Sequence, residues 1–265
     1  MIQTLPEIPE DEATHEVAEL YEAIRLETGS PLVNYIWRHL ATIDGAAHWA
    51  WDFLSINDSS LLEHDIEEQA NLAAVMTAKA MSLDTSLTLS NDSWAILNAY
   101  NRNNVANLAR VLLLMEGVCA LPGSYKTSYT PPAVKLKERK LRKLPSLPSF
   151  SDVTQADLEL ILRLTLAGPA SCSGIVPSLW RHLTIQKGLI SQLCYPLEMT
   201  LSSREFHNNF SNLRNQAIRA AESQPIGTIR PIDFNRETAF EGLERFSHVI
   251  AELTIAGRII EHWAR

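Results

Sequence analysis

Four side chains, His182, His248, Asp44 and Glu244, have the chemistry of a general base beside a water, and none sits in a local motif that singles it out. Asn104 is a different kind of candidate. It shares a helix face with Asn101 and Leu108 on an otherwise apolar stripe, so if it turns inward its amide needs a partner or a ligand. Cys172 lacks a neighbouring base or electropositive setting and is not read as a nucleophile. The stretch Gly168 to Ser178, GPASCSGIVPS, reads as a loop feeding a helix, with Ser178 able to cap that helix and to touch an anion. No HExxH, paired ExxH, Walker or dinucleotide pattern occurs, which removes several specific enzyme classes, and neither a metal nor a cofactor is expected.

The elements that must position these groups repeat. Trp37-Arg38-His39-Leu40 returns as Trp180-Arg181-His182-Leu183, and Gly45 is matched by Gly188 at the same offset of 143 residues. Trp and His two residues apart point to different helix faces, so the tetrapeptide reads as architecture: core tryptophans, and histidines that satisfy backbone carbonyls or sit half exposed. The offset also places one long hydrophobic helix late in each half. The first carries Trp94, Leu97, Asn101, Asn104, Leu108, Val111 and Leu112, and the second Phe240, Leu243, Phe246, Ile250, Leu253 and Ile255. Further amphipathic helices are expected at about Ala13 to Thr28, His64 to Ser82, Gln155 to Ala167 and Ser202 to Ser223, with no competing strand pattern. The chain is therefore read as all-α. Two tandem related halves, 1–121 and 153–265, are expected to form an intramolecular pseudo-dimer with a cleft at its centre.

Between the halves, residues 122–152 hold five prolines. From Lys126 to Lys143 seven basic residues face Glu138 alone, a local charge of +6 within a total of −8. This joint reads as a solvated linker or a strap across an acidic surface, with a short basic helix at Ala133 to Leu144 as an option. The acidic bulk argues against a nucleic-acid partner, and the most apolar helix, from Val105 to Leu121, is interrupted by Arg110 and Glu116, against a membrane span. Three unpaired cysteines fit a reducing compartment, and a start without a basic, apolar leader predicts a cytoplasmic protein.

ELYEAIRLETGSPLVNYIWRHLAT, LNAYNRNNVANLARVLLL, IVPSLW and FSHVIAELTI, spread from Glu19 to Ile255, resemble the group I 2-haloacid dehalogenases. These all-helical enzymes have two related halves around a central site, where an activated water displaces halide from a 2-halocarboxylic acid. The resemblance implies that Leu32 and Tyr35 line a substrate pocket, that Asn104 places water or substrate, and that Ser178 lies near the substrate carboxylate. It further puts Phe246 and Ile250 in the pocket, Phe246 replacing a tyrosine. Leu179 then stands where the family has its catalytic aspartate, and from Ile161 to Thr200 the only acidic residue is Glu198.

Three readings follow. One is a divergent hydrolase acting on a small carboxylic acid, with His182 or His248 replacing the missing base. A second is a binding or regulatory protein that keeps the pocket without the chemistry. The third is kinship with carboxymuconolactone decarboxylase-like or alkylhydroperoxidase-like helical proteins, whose paired redox cysteines are absent here. The partner expected is a small carboxylic acid, and homo-oligomers remain open.

Overall fold

The structure is a computed structural model; it describes residues 5–81, 87–119, 144–227 and 234–265. Among the described residues every regular element is a helix. The first half contains α1 (His15–Thr28), α2 (Tyr35–Leu40), α3 (Ala46–Ile56), α4 (Ser60–Met81) and α5 (Asn91–Cys119). The second contains α6 (Gln155–Ala167), a 3-10 turn (Pro169–Ser173), α7 (Ser178–Leu183), α8 (Leu189–Leu201), α9 (Arg204–Glu222) and α10 (Arg236–Trp263). Most of the basic joint, with the helix expected at its end, lies in residues 120–143, outside the described residues.

The bounds of α2 and α7 differ by the 143-residue offset of the sequence repeat. Gly45 and Gly188 take left-handed φ values of 76° and 80° immediately before α3 and α8. Glycine is the residue that adopts this conformation without a Cβ penalty, so the same backbone reversal sits at the same place in each half. Side-chain caps define the helix starts in the second half. Thr154 accepts from the Asp157 N–H, Ser203 from Phe206 and Asn235 from Thr238, each at 3.1 Å.

The core is built on α5 and α10, which pack along each other, with α4 and α9 packed on both. From Val249 to Ile260 every residue of α10 is buried, so the helix is covered on all sides and its two charged residues there need internal partners. Arg258 has them: Glu67, Asn71 and the carbonyl of Thr254. Glu252 accepts the N–H of Ala170 at 2.8 Å, against a backbone where Gly168 leaves no room for a Cβ. The short helices cross between halves: α2 packs on α10, and α7 on α5. No helix among the described residues is long and apolar enough to cross a membrane.

Complete burial pushes the Glu252 carboxyl up to about 8, with the Ala170 N–H pulling the other way. Its folded value lies above its ordinary 4.5, so the folded protein keeps a proton that the unfolded chain releases. This contribution to stability is complete below pH 4.5 and is lost as pH rises through about 8. Glu252→Gln keeps an acceptor for Ala170 without the charge. Urea unfolding at pH 5, 7 and 9 should show the variant gaining on the wild type as pH rises; parallel profiles would contradict a buried neutral acid.

Candidate functional site

A cavity of about 660 Å³ lies where α2, α5, α7 and α10 meet. Its walls come from Leu32, Val33, Tyr35, Ile36 and Arg38 of the first half, from Tyr100 and Asn104 on α5, and from Ile175, Ser178 and Arg181 of the second half. Phe246, Val249, Ile250 and Leu253 supply the α10 face. Two extended straps, residues 7–12 and 144–150, complete the lining.

Each strap is held by the Trp-Arg-His-Leu helix of its own half. His39 donates its Nδ1–H to the Pro6 carbonyl at 2.9 Å, and His182 donates its Nε2–H to the Pro145 carbonyl at 2.9 Å. The carbonyl can only accept, which fixes the tautomers and leaves His39 Nε2 and His182 Nδ1 as buried nitrogens without a partner. The Tyr35 hydroxyl donates to the Leu5 carbonyl at 2.6 Å and the Ile8 N–H to the Arg38 carbonyl at 3.0 Å. His39 packs over Gly242 of α10 so closely that a Cβ there would collide with its ring, while His182 meets the edge of Tyr100 on α5 at 5.8 Å.

The arginines of the same tetrapeptides turn to the cavity. Arg38 and Arg181 are 8% and 9% exposed, and both line it. Arg38 Nε pairs with Glu7 at 3.1 Å, and its guanidinium lies 5.5 Å from the centre of the Tyr35 ring. Arg181 stacks at 4.3 Å over Phe150. Among the described residues it has no carboxylate partner, and its buried Nε makes no hydrogen bond. Burial lowers its pKa, Glu7 raises it and Arg38 lowers it further, yet a guanidinium stays cationic. Two like charges thus face one space whose lining holds two half-buried carboxylates, Glu7 beside Arg38 and Glu10 beside Arg25, and the exposed Asp11 and Glu12.

Of the residues singled out from sequence, Leu32, Tyr35, Asn104, Ser178, Phe246 and Ile250 meet on this cavity. Asn104 is buried, and its Nδ2 has no hydrogen-bond partner among the described residues. Leu179 is fully buried, and neither it nor His182 or His248 is among the lining residues. The reasons are geometric. His182 is directed at Pro145, and His248 lies two residues from both Phe246 and Ile250, on the opposite side of α10, against Phe210 and near Arg214. The capping role expected of Ser178 is corrected: Pro177 holds the N-cap position, and Ser178 is the first helical residue with no side-chain cap bond.

Other proton carriers on the wall are constrained. Tyr35 is pushed up to about 12 by burial, with Glu7 adding to the rise, and fully buried Tyr100 is raised further. Both remain phenols, donors rather than bases. Glu10 bonds Arg25 at 2.6 Å and accepts the Val33 N–H at 3.0 Å. No cluster of three metal-ligating side chains occurs among the described residues.

Sequence reasoning missed Arg38, Arg181, Glu7 and Phe150. The arginines did leave a signal. A charged residue repeated inside two six-residue helices that are otherwise apolar or aromatic is expensive to bury unless it serves an anion or a partner.

The described residues form an all-helical fold like that of solved 2-haloacid dehalogenases. Solved structures similar to the chain include a D-2-haloacid dehalogenase mutant (TM-score 0.75, 12% identity, covering 98% of this chain and 96% of that one). A D-2-haloacid dehalogenase in complex with L-LA (0.72, 11%, 98% and 96%) and a mutant with D-2-CPA (0.64, 13%, 98% and 94%) are also similar. No family model matches the chain, and no curated protein matches it in sequence. At this identity the likeness is one of fold.

Burial lowers the pKa of both His39 and His182 below the ordinary 6.5. The folded imidazoles stay neutral where the unfolded chain takes up protons, so their contribution is present above pH 6.5 and is lost as pH falls below it. His39→Asn with His182→Gln keeps an N–H near each strap carbonyl without the titration. Urea midpoints between pH 7.5 and 5 should fall less steeply in the double variant; an unchanged slope would remove the straps from the acid response.

Proposed function

We propose that this protein binds a small-molecule carboxylic acid in the central cavity, with the carboxylate on Arg181, and that it does so without hydrolysing it. One observation carries this reading: Arg181 is a buried cation that faces a cavity and has no carboxylate partner among the described residues. Leaving a charge in a low-dielectric wall costs several kcal/mol, roughly, unless an anion compensates it. A carboxylate fits the guanidinium fork bidentately. Asn104, with an unbonded amide nitrogen on the same wall, supplies a second donor, and Ser178 a third.

The first and second halves are proposed to be internal repeats arranged as a pseudo-dimer. The reciprocal packing of α2 on α10 and α7 on α5, together with the shared offset, supports this. The domain bounds 1–121 and 153–265 follow from that reading. The missing base argues for binding over hydrolysis. Leu179 cannot accept a proton, and Glu7, a half-buried carboxylate of the wall, is paired with Arg38. The dehalogenase-like fold keeps the hydrolytic alternative worth one direct assay, with His182, His248 or Glu7 as the base to be found.

Calorimetric titration with straight-chain acids from acetate to octanoate should give binding to the wild type. Arg181→Gln should weaken it about 10- to 150-fold, the loss of one hydrogen bond to a charged group. Its melting temperature should hold or rise, since an uncompensated buried charge has been removed. Halide release from 2-chloropropionate, measured in parallel, should stay at background. An Arg181→Gln protein that binds as well as the wild type would sink the proposal, and base-dependent halide release would replace it with the hydrolytic one.

A further inference from the structure

We infer that the acid taken by this cavity is a monocarboxylate with a bulky apolar body, a medium-chain or aryl-substituted acid rather than a two- or three-carbon one. The inference rests on the carboxylate reading above and extends it to the class of ligand. Volume is the first argument. The cavity, about 660 Å³, falls within the roughly 300–1,000 Å³ of sites that enclose drug-sized ligands. A three-carbon acid anchored on Arg181 would leave most of it to water against apolar walls.

The character of the walls is the second argument. Besides its polar groups the lining carries Leu32, Ile36, Phe246, Ile250 and Leu253, with the α10 residues at i, i+4 and i+7 forming one continuous apolar face. Such a face gives nothing to a ligand that is all head group. It rewards each methylene or ring carbon laid against it, by a factor of about four in affinity per buried methylene.

Charge supplies the third argument and restricts the ligand to one carboxylate. The second guanidinium, Arg38, is already matched by Glu7 from the strap. The same strap brings Glu10, Asp11 and Glu12 to the lining, so a second carboxylate on the ligand would face acids rather than a free cation. Among the described residues the cavity therefore offers an unpaired cation at one place, Arg181. Its selectivity follows from an internal carboxylate that occupies the place a dicarboxylate would need.

The acid series already described ranks the ligand class, with suberate, the eight-carbon dicarboxylate, and phenylacetate added as probes. Octanoate and phenylacetate should each bind at least 30-fold more tightly than propionate, and suberate should bind more weakly than octanoate. Ile250→Trp, which fills the apolar face, should weaken octanoate more than propionate, with circular dichroism and a cooperative melt confirming the fold. Octanoate and propionate binding equally would overturn the inference while leaving the carboxylate reading intact. Suberate binding as tightly as octanoate would overturn the single-carboxylate part. Binding of none of these acids to the wild type would remove both readings together.

Discussion

Two guanidinium groups held below one-tenth exposure on the wall of one cavity are the constraint on which the rest of this structure depends. Each comes from a six-residue helix whose residues before and after the arginine are buried. Helices this short have no stability of their own. They exist because a tryptophan and a leucine anchor each of them in the core, and because α2 lies on α10 and α7 on α5. The cavity is the space left where those crossings meet, so disturbing α5 or α10 displaces the arginines as well.

The scaffold is near-symmetric, but its electrostatics are not. Both histidines donate to a strap proline carbonyl at the same distance, and both glycines before α3 and α8 adopt the same reversed backbone. The arginines diverge. One strap presents Glu7 to Arg38, the other presents the Phe150 ring to Arg181. An ion pair neutralises the first cation, whereas a cation–π contact orients the second without cancelling its charge. If the halves are repeats, as proposed, function is expected where they differ, and at the arginines the difference is the Glu7 carboxylate.

The sequence made the helices and their repeat legible because both depend on periodicity and on local chemistry. The expected bounds Gln155 to Ala167 match α6, and the matched Gly45 and Gly188 mark equivalent turns. Six of the residues expected at a pocket do meet, because Phe246 and Ile250 are one helical turn apart and Leu32, Tyr35 and Ser178 flank the repeated tetrapeptides. Helix rotation accounts for what was hidden. Nothing in the spacing says that His248 faces Arg214 while its neighbours two residues away face the cavity. The straps were hidden for another reason: Glu7 lies 31 positions before Arg38 and Phe150 lies 31 before Arg181, in segments with no periodicity to read.

The proposed reading, carboxylate binding without hydrolysis, rests on this asymmetry. Water activation needs a base with an uncommitted lone pair next to the substrate. On this wall Glu7 sits 3.1 Å from Arg38, Glu10 bonds Arg25 and the Val33 N–H, Asp11 and Glu12 are exposed, and the tyrosines are held protonated by burial. The ion pair offsets the charge of Arg38, whereas Arg181 has no carboxylate partner among the described residues. Under the proposed reading, a bound acid lies with its carboxylate on Arg181 and its apolar body along α10.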